Sequence, residues 1–92
     1  MIIGVVIGNV WATKKEDVLN GRKLMVVQRI DAASNELKDS FVAVDCVGAG
    51  IGEQVLVVTG SSARMALSNP EIPVDAAIVG ILDQVEIPGL QN

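Results

Sequence analysis

The strand-forming runs of this chain are apolar on both faces, and this feature restricts its fold more than any other. The first run, residues 1–12, carries Ile3, Val5 and Ile7 on one face and Ile2, Val6 and Val10 on the other. The last run, residues 76–87, carries Ala77, Val79, Ile81 and Val85 opposite Ala76, Ile78 and Leu82. An antiparallel sheet normally exposes one face to water, so two apolar faces need a second burial partner. We expect the outer faces of the first or last strand to form subunit interfaces.

The size and composition of the chain support the same expectation. Its 92 residues are 50% hydrophobic, but only Trp11 and Phe41 are aromatic. A chain this short buries about 60 to 65% of its unfolded surface, and ordering it costs roughly 1.5 kcal/mol per residue, so a lone subunit is marginally stable. Cys46 is the only cysteine and there is no histidine, which excludes an internal disulfide and a zinc cluster. Association with other subunits is left, and we expect no metal and no cofactor.

Five short apolar runs, separated by turn residues, predict a single all-β domain over residues 1–92. The runs are residues 1–12, 24–30, 41–47, 54–59 and 76–87. Turns are predicted at Asn20-Gly21 and at Asn35. Residues 60–70, GSSARMALSNP, predict a short helix with Ser61 or Ser62 as its N-cap. The pattern favours a small five-stranded OB-like β-barrel, or an SH3-like barrel, with one short helix after the fourth strand.

Charge and run length exclude several classes of partner. Seven Lys and Arg against eleven Asp and Glu give a net charge of −4, which disfavours binding to a phosphate backbone. No segment reaches the roughly 20 apolar residues that a membrane span needs. The apolar start, MIIGVVIG, has no preceding cation and is followed by Asn9, unlike a secretory signal. We therefore expect no nucleic-acid partner, no membrane partner and a cytoplasmic location.

Few side chains could carry catalysis, because the chain has no histidine, the residue that most often transfers protons near neutral pH. Cys46, in the run FVAVDCV, is predicted to be a small buried residue. An enzyme is conceivable only if Cys46 is exposed beside a group that stabilises its thiolate. Asp45 and Glu53 flank a glycine-rich segment, and we interpret them as solvated or hydrogen-bonded loop carboxylates rather than as a catalytic pair.

Two glycine-containing motifs admit both structural and binding interpretations. Residues 48–52, GAGIG, precede a strand rather than a helix, which favours a tight hairpin, or a loop gathered around a symmetry axis, over a dinucleotide site. Residues 60–64, GSSAR, lie between a strand and a helix, where N-capping or anion binding are alternatives. Arg64 is expected in a structural or interface ion pair. Asp83 is expected to pair with Arg29, Arg64 or a backbone amide.

Three blocks of sequence resemble one known family. They are VVIGNVWATKKEDVLNGRKLMVVQRID, DCVGAGIGEQVLVVTGSSAR and DAAIVGILDQVEI, which together extend over nearly the whole chain. GAGxGE, followed at close spacing by GSSAR and then by DAAIVGIxD, is more diagnostic than any single glycine motif. On these blocks the chain resembles the EutN/CcmL family, the vertex proteins of bacterial microcompartment shells.

The resemblance implies an architectural function: a homopentamer with a narrow axial channel that closes the vertices of a shell whose facets are tiled by hexameric shell proteins. It places Gly48, Ala49, Gly50, Ile51, Gly52 and Glu53 near a subunit interface or the pore. It places Ser61, Ser62 and Arg64 at a helix N-terminus or interface, and Ala76, Ile78, Val79, Ile81 and Asp83 in core or intersubunit contacts. The early stop after PGLQN favours a catabolic compartment over a carboxysome. The alternative is a small oligomeric module that holds an anionic metabolite at either glycine motif.

Overall fold

Five β-strands close into a barrel in the order β1-β2-β3-β5-β4. The computed structural model describes residues 1–11 and 17–87, so the PGLQN tail lies outside the described residues. The strands are β1 (Ile2–Val10), β2 (Leu24–Ile30), β3 (Leu37–Asp45), β4 (Gln54–Thr59) and β5 (Ala76–Ile81). A 3-10 turn covers Asp17–Leu19, and helix α1 (Ser61–Ala66) follows β4. The predicted OB-like barrel with a short helix after its fourth strand is therefore confirmed.

The barrel closes because β1 is long enough to pair with two neighbours. Its first half pairs antiparallel with β4, from Ile2 opposite Val57 to Val5 opposite Gln54. It also pairs with β2 up to Val10, with an irregularity between Val6 and Gly8 that lets the strand bend. On the far side, a short parallel pairing joins β3 to β5. Because β4 is paired with a neighbouring strand on each side, the sheet has no long exposed edge there.

Small aliphatic side chains fill the inside of the barrel. The main buried cluster consists of Val6, Met25, Val27, Ala43, Ala49, Val55, Val57, Ala76 and Ile78. A barrel of only five strands has a narrow interior, so valine and alanine fit where aromatic rings would not. The scarcity of aromatic residues in the sequence thus has a packing reason.

Part of the second apolar face is covered within the same subunit. Ala63 of α1 packs with Val58 and Ala77, and Val79 lies against this group. Leu67, just after α1, and Ile72 pack on Val44 of β3. The helix and the segment after it therefore cover the outside of β3, β4 and β5. The large apolar side chains that stay exposed on strands include Ile7 of β1, at 51%, and Ile81 of β5, at 40%.

The predicted ranges of the third and fifth strands are wrong. The fifth strand ends at Ile81 rather than at residue 87, and Asp83 is exposed beyond it. Because Asp83 is solvated there, it does not need the arginine or amide partner that a buried carboxylate would require. The third strand begins at Leu37 and ends at Asp45, rather than covering residues 41–47. Its first four residues are exposed, so no apolar alternation announced them.

The turn between β2 and β3 is organised by one side chain. Asp31 Oδ1 accepts hydrogen bonds from the backbone N–H groups of Ala33, at 2.9 Å, and Ser34, at 3.3 Å. These amide donors lower the pKa of Asp31. Asn35 adopts φ +58 at the predicted tip, and Asn20-Gly21 forms the other predicted turn.

Within the described residues, no helix is long and apolar enough to cross a membrane.

The close approach of β1 to β2 at Gly4 supplies a test of this packing. A Cβ added at Gly4 would lie 2.5 Å from Val27 Cγ1 and 2.7 Å from the carbonyl oxygen of Gln28. We expect Gly4→Ala to lower the free energy of unfolding by about 1–3 kcal/mol or more, because the backbone of β2 must move. Urea unfolding at one fixed subunit concentration measures this change.

Gly8→Ala is the matched control in the same strand, since a Cβ there meets no atom within 4 Å. We expect it to change the free energy of unfolding by less than about 0.5 kcal/mol. Equal losses in the two variants would contradict the described packing of β1 on β2.

Candidate assembly site

Residues 46–53, here called the glycine loop, cross from β3 to β4. These strands are not neighbours, because β5 lies between them, so the predicted tight hairpin is wrong. Cys46 N–H donates to the Ile78 carbonyl at 3.1 Å, which ties the start of the loop to β5. At its end, Gly52 N–H donates to the Val6 carbonyl at 2.8 Å, and Val6 N–H donates to the Glu53 carbonyl at 3.0 Å. The loop is therefore fastened to β5 and to β1.

Two carboxylates hold the glycine loop through hydrogen bonds to its backbone. Asp45 accepts three backbone hydrogen bonds, from Val47 at 3.0 Å, Gly48 at 3.1 Å and Ala49 at 2.9 Å. Glu53 Oε1 accepts one from Gly50 N–H at 2.6 Å. The interpretation of these acids as hydrogen-bonded loop carboxylates is thus confirmed. Hydrogen bonds to carboxylate acceptors are stronger than those between neutral groups, so these four bonds fix the conformation of the loop.

The fixed loop buries one apolar residue and presents another. Ala49 is fully buried in the barrel cluster, and Lys23 Nζ donates to its carbonyl oxygen at 3.0 Å. Ile51, at the outer end, is 62% exposed. Gly52 has φ +93, a conformation that a residue with a Cβ rarely adopts. The loop is therefore a rigid projection with an isoleucine at its tip.

The residues at the start of α1 differ from the prediction. Gly60, with φ +60, is the N-cap, and no side chain caps the helix, so the expectation of a Ser61 or Ser62 cap is wrong. Both serines are exposed. Gly60 N–H instead donates to the Asp75 carbonyl at 2.9 Å, which orients the backbone without a side-chain acceptor. The Gly-Ser-Ser segment therefore serves to turn the chain from β4 into the helix.

Arg64 lies at an open depression, here called the helix groove. Its Nη1 donates to the Val74 carbonyl at 3.3 Å. Over residues 1–11 and 17–87 the single ion pair joins Lys38 and Glu36, so Arg64 has no carboxylate within that part of the chain. The groove has a volume of about 530 Å³ and is lined by Ser61, Arg64, Met65, Ser68, Asn69 and Pro70. Met65 is 76% exposed there.

The candidate residues of the last strand divide between core and surface. Ala76 and Ile78 are buried inside the barrel, and Val79 is half-buried against the helix cluster. Ile81 is exposed at the end of the strand, and Asp83 is exposed beyond it. Within a single subunit, only Ile81 and Asp83 of this set are free to meet a neighbour.

Cys46 is exposed, so the prediction of a buried thiol is wrong. The reason is the position of the residue: β3 ends at Asp45, and the apolar alternation does not continue into the loop. Partial desolvation of the sulfur raises the pKa of Cys46, the charge of Asp45 raises it further, and Arg22 opposes them weakly. The surroundings of the sulfur therefore favour the thiol over the thiolate. Among the described residues, no group of three or more potential metal ligands occurs.

Sequence reasoning did not identify Lys23 or Met65 as parts of the site. A lysine before a strand and a methionine in a short helix carry no pattern that separates them from ordinary surface residues. The role of Asp45 had a readable signal, since an aspartate two to four residues before amide donors in a glycine segment typically forms a local turn.

Replacement of Asp45 tests whether the loop depends on this carboxylate. In Asp45→Asn, an amide nitrogen replaces one acceptor oxygen and faces a backbone donor, so we expect the free energy of unfolding to fall by about 1.5–3 kcal/mol. Urea unfolding at fixed subunit concentration measures the change. Asp39→Asn, an exposed strand position, is the control and should stay within about 0.5 kcal/mol of the parent. Equal effects would contradict the role of Asp45.

The reactivity of Cys46 tests the electrostatic description of the thiol. Because the folded pKa is raised, we expect alkylation in the folded protein to need a higher pH than in the urea-unfolded protein. The sign for stability follows: the contribution of Cys46 is complete below its unfolded pKa and is lost as pH rises through the folded pKa. Rates of alkylation from pH 7 to 10 measure the shift. Faster reaction of the folded thiol at neutral pH would indicate an activated nucleophile instead.

Comparison with known proteins identifies the family of the chain. Residues 1–83 match the family model described as ethanolamine utilisation protein EutN/carboxysome. The chain is 46% identical over 87 residues to the carboxysome shell vertex protein CcmL of Synechococcus elongatus, covering 95% of this chain and 88% of CcmL. It is 43% identical over 89 residues to the bacterial microcompartment shell vertex protein EutN of Salmonella typhimurium, covering 97% and 90% of the two chains.

A solved structure extends the likeness to the whole fold. The GrpN pentameric microcompartment shell protein from Rhodospirillum rubrum superposes with a TM-score of 0.84 at 46% sequence identity, covering 95% of this chain and 100% of GrpN. The fold is thus shared along nearly the full length of both proteins. The chain belongs to the EutN/CcmL family of microcompartment shell vertex proteins.

Proposed function

We propose that this protein is a structural component of a bacterial microcompartment shell, in which five copies form a ring that closes a vertex of the polyhedron. The observation that carries the proposal is the match over nearly the whole chain to shell vertex proteins, one of which has a pentameric solved structure. In the described part of the subunit, the closed barrel leaves several large apolar side chains exposed, where a neighbouring subunit could cover them.

The mechanism is geometric rather than chemical. A ring of identical subunits joined head to tail closes when the angle between neighbours matches the subunit count, and each interface joins two different patches of the same chain. Five wedge-shaped subunits, surrounded by hexameric shell proteins, introduce the curvature that flat facets lack. A rigid barrel with fastened loops keeps that angle constant, since packed protein resists deformation.

The proposal also assigns places to the candidate residues. The glycine loop, with Ile51 at its tip, lies near the subunit interface or the narrow axial opening of the ring. Residues 1–92 form a single domain with this architectural task. The proposed assembly requires neither a cofactor nor a catalytic side chain.

Shell closure in cells tests the function. We expect deletion of the gene in a shell-forming host without a paralogue to give elongated or unsealed compartments by electron microscopy, because facets then lack the pieces that close their corners. Native mass spectrometry of the purified protein should show five subunits. Complementation by the parent gene is the control. Normal closed shells after deletion would contradict the proposal.

A further inference from the structure

The glycine loop and the helix groove are both exposed and apolar, and their unpaired charges have opposite sign. Ile51 projects from the loop, and Met65 is exposed in the groove. Glu53 is exposed at the loop, with one oxygen bonded to Gly50 N–H. Neither Glu53 nor Arg64 has an ionised partner within residues 1–11 and 17–87, where the ion pair joins Lys38 and Glu36. Each surface therefore has an exposed apolar side chain and a charge whose sign is opposite to that of the other surface.

The two surfaces also flank opposite ends of one strand. The glycine loop enters β4, and α1 follows it directly. Six residues of extended chain separate the two ends by about 17 Å. A head-to-tail ring requires two different patches on each subunit, because a patch that pairs with itself gives a two-fold dimer. A projection and a groove at opposite ends of a strand satisfy this requirement.

We propose that the glycine loop of one subunit docks in the helix groove of the next, with Ile51 against Met65 and Glu53 paired with Arg64. The occupant of the groove is therefore a second copy of this chain. This inference rests on the proposed pentamer and assigns its interface. Docking costs little ordering, because Asp45 and Glu53 already fix the loop in the free subunit.

Several features of the loop suit close approach by a neighbour. Added Cβ atoms at Gly48 and Gly52 would meet nothing within 4 Å in the subunit, so open space lies beside the loop backbone. Met65 and Pro70 supply the apolar side chains of the groove wall, which polar residues and Arg64 complete. Specific protein interfaces usually combine an apolar centre with polar or charged groups at the rim, where opposite charges pair.

Charge exchange tests the Glu53–Arg64 pair. We expect Glu53→Arg and Arg64→Glu each to raise the dissociation constant between subunits at least about tenfold. The double variant should recover part of the loss, because Glu53→Arg also removes the acceptor of the Gly50 N–H. Analytical ultracentrifugation over a range of concentrations measures the change, and circular dichroism verifies that each variant folds. Asp39→Arg, a charge reversal of the same magnitude at an exposed position outside both surfaces, is the control. Parent-like association of both single variants, or a double variant weaker than either, overturns the pairing.

Disulfide trapping tests the contact without depending on charge. In a Cys46→Ser background, the pair Ile51→Cys and Met65→Cys should form, on mild oxidation, a non-reducing gel ladder that reaches five subunits. Each single cysteine variant can give no more than a dimer. The pair Ile51→Cys and Leu37→Cys is the control, since Leu37 is also an exposed apolar residue. A ladder specific to Met65→Cys supports the docking, whereas no ladder, or an equal ladder in the control, overturns it.

The parent protein separates failure of this inference from failure of the proposed function. If native mass spectrometry shows a pentamer and trapping yields no specific ladder, the interface lies elsewhere and the vertex function stands. If the parent protein is not a pentamer, both the proposed function and the docking of loop into groove are overturned.

Discussion

The narrow interior of a five-stranded barrel is the constraint on which the rest of this structure depends. It admits only one face of each strand, and the cluster inside consists almost wholly of valine, alanine and a few larger aliphatic residues. The outer faces are as apolar as the inner ones at several positions, so they need other cover. Helix α1 and the segment after it cover part of β3, β4 and β5, and the remaining apolar residues stay at the surface.

The glycine loop shows how such a barrel can present a surface without side-chain chemistry. Asp45 accepts hydrogen bonds from three backbone N–H groups, and Glu53 accepts one from a fourth. Lys23 donates a hydrogen bond to a carbonyl oxygen of the loop. Three charged residues near one loop could be interpreted as a catalytic group if their hydrogen bonds were not known. Their hydrogen bonds instead place the loop backbone in one conformation, which lowers the ordering cost of any contact made at Ile51. Rigid loops and a rigid barrel are the properties that a part of a closed shell requires.

The scarcity of candidate catalytic side chains in the sequence and the surplus of apolar surface both fit an architectural protein. In the proposed ring, contacts between neighbouring subunits would bury apolar surface that a small 92-residue domain leaves exposed, and the same contacts would set the angle between subunits. The exposed thiol of Cys46 fits this description, since its pKa is raised rather than lowered. In the proposed function, the shape and spacing of the subunit surfaces determine how the shell closes.

The sequence by itself determined the all-β class, the helix after the fourth strand, both turns and the family, because β-branched runs, turn residues and spaced motifs are local properties of the chain. It also indicated the acids of the glycine loop as structural. Strand order, the crossing of the loop over β5, the Gly60 cap and the exposure of Cys46 and Asp83 were decided only by tertiary structure. These features depend on which distant residues meet, as when Gly52 bonds to Val6. Local pattern does not contain that information, because the same apolar run can pack inside a barrel, beneath a helix or against another subunit.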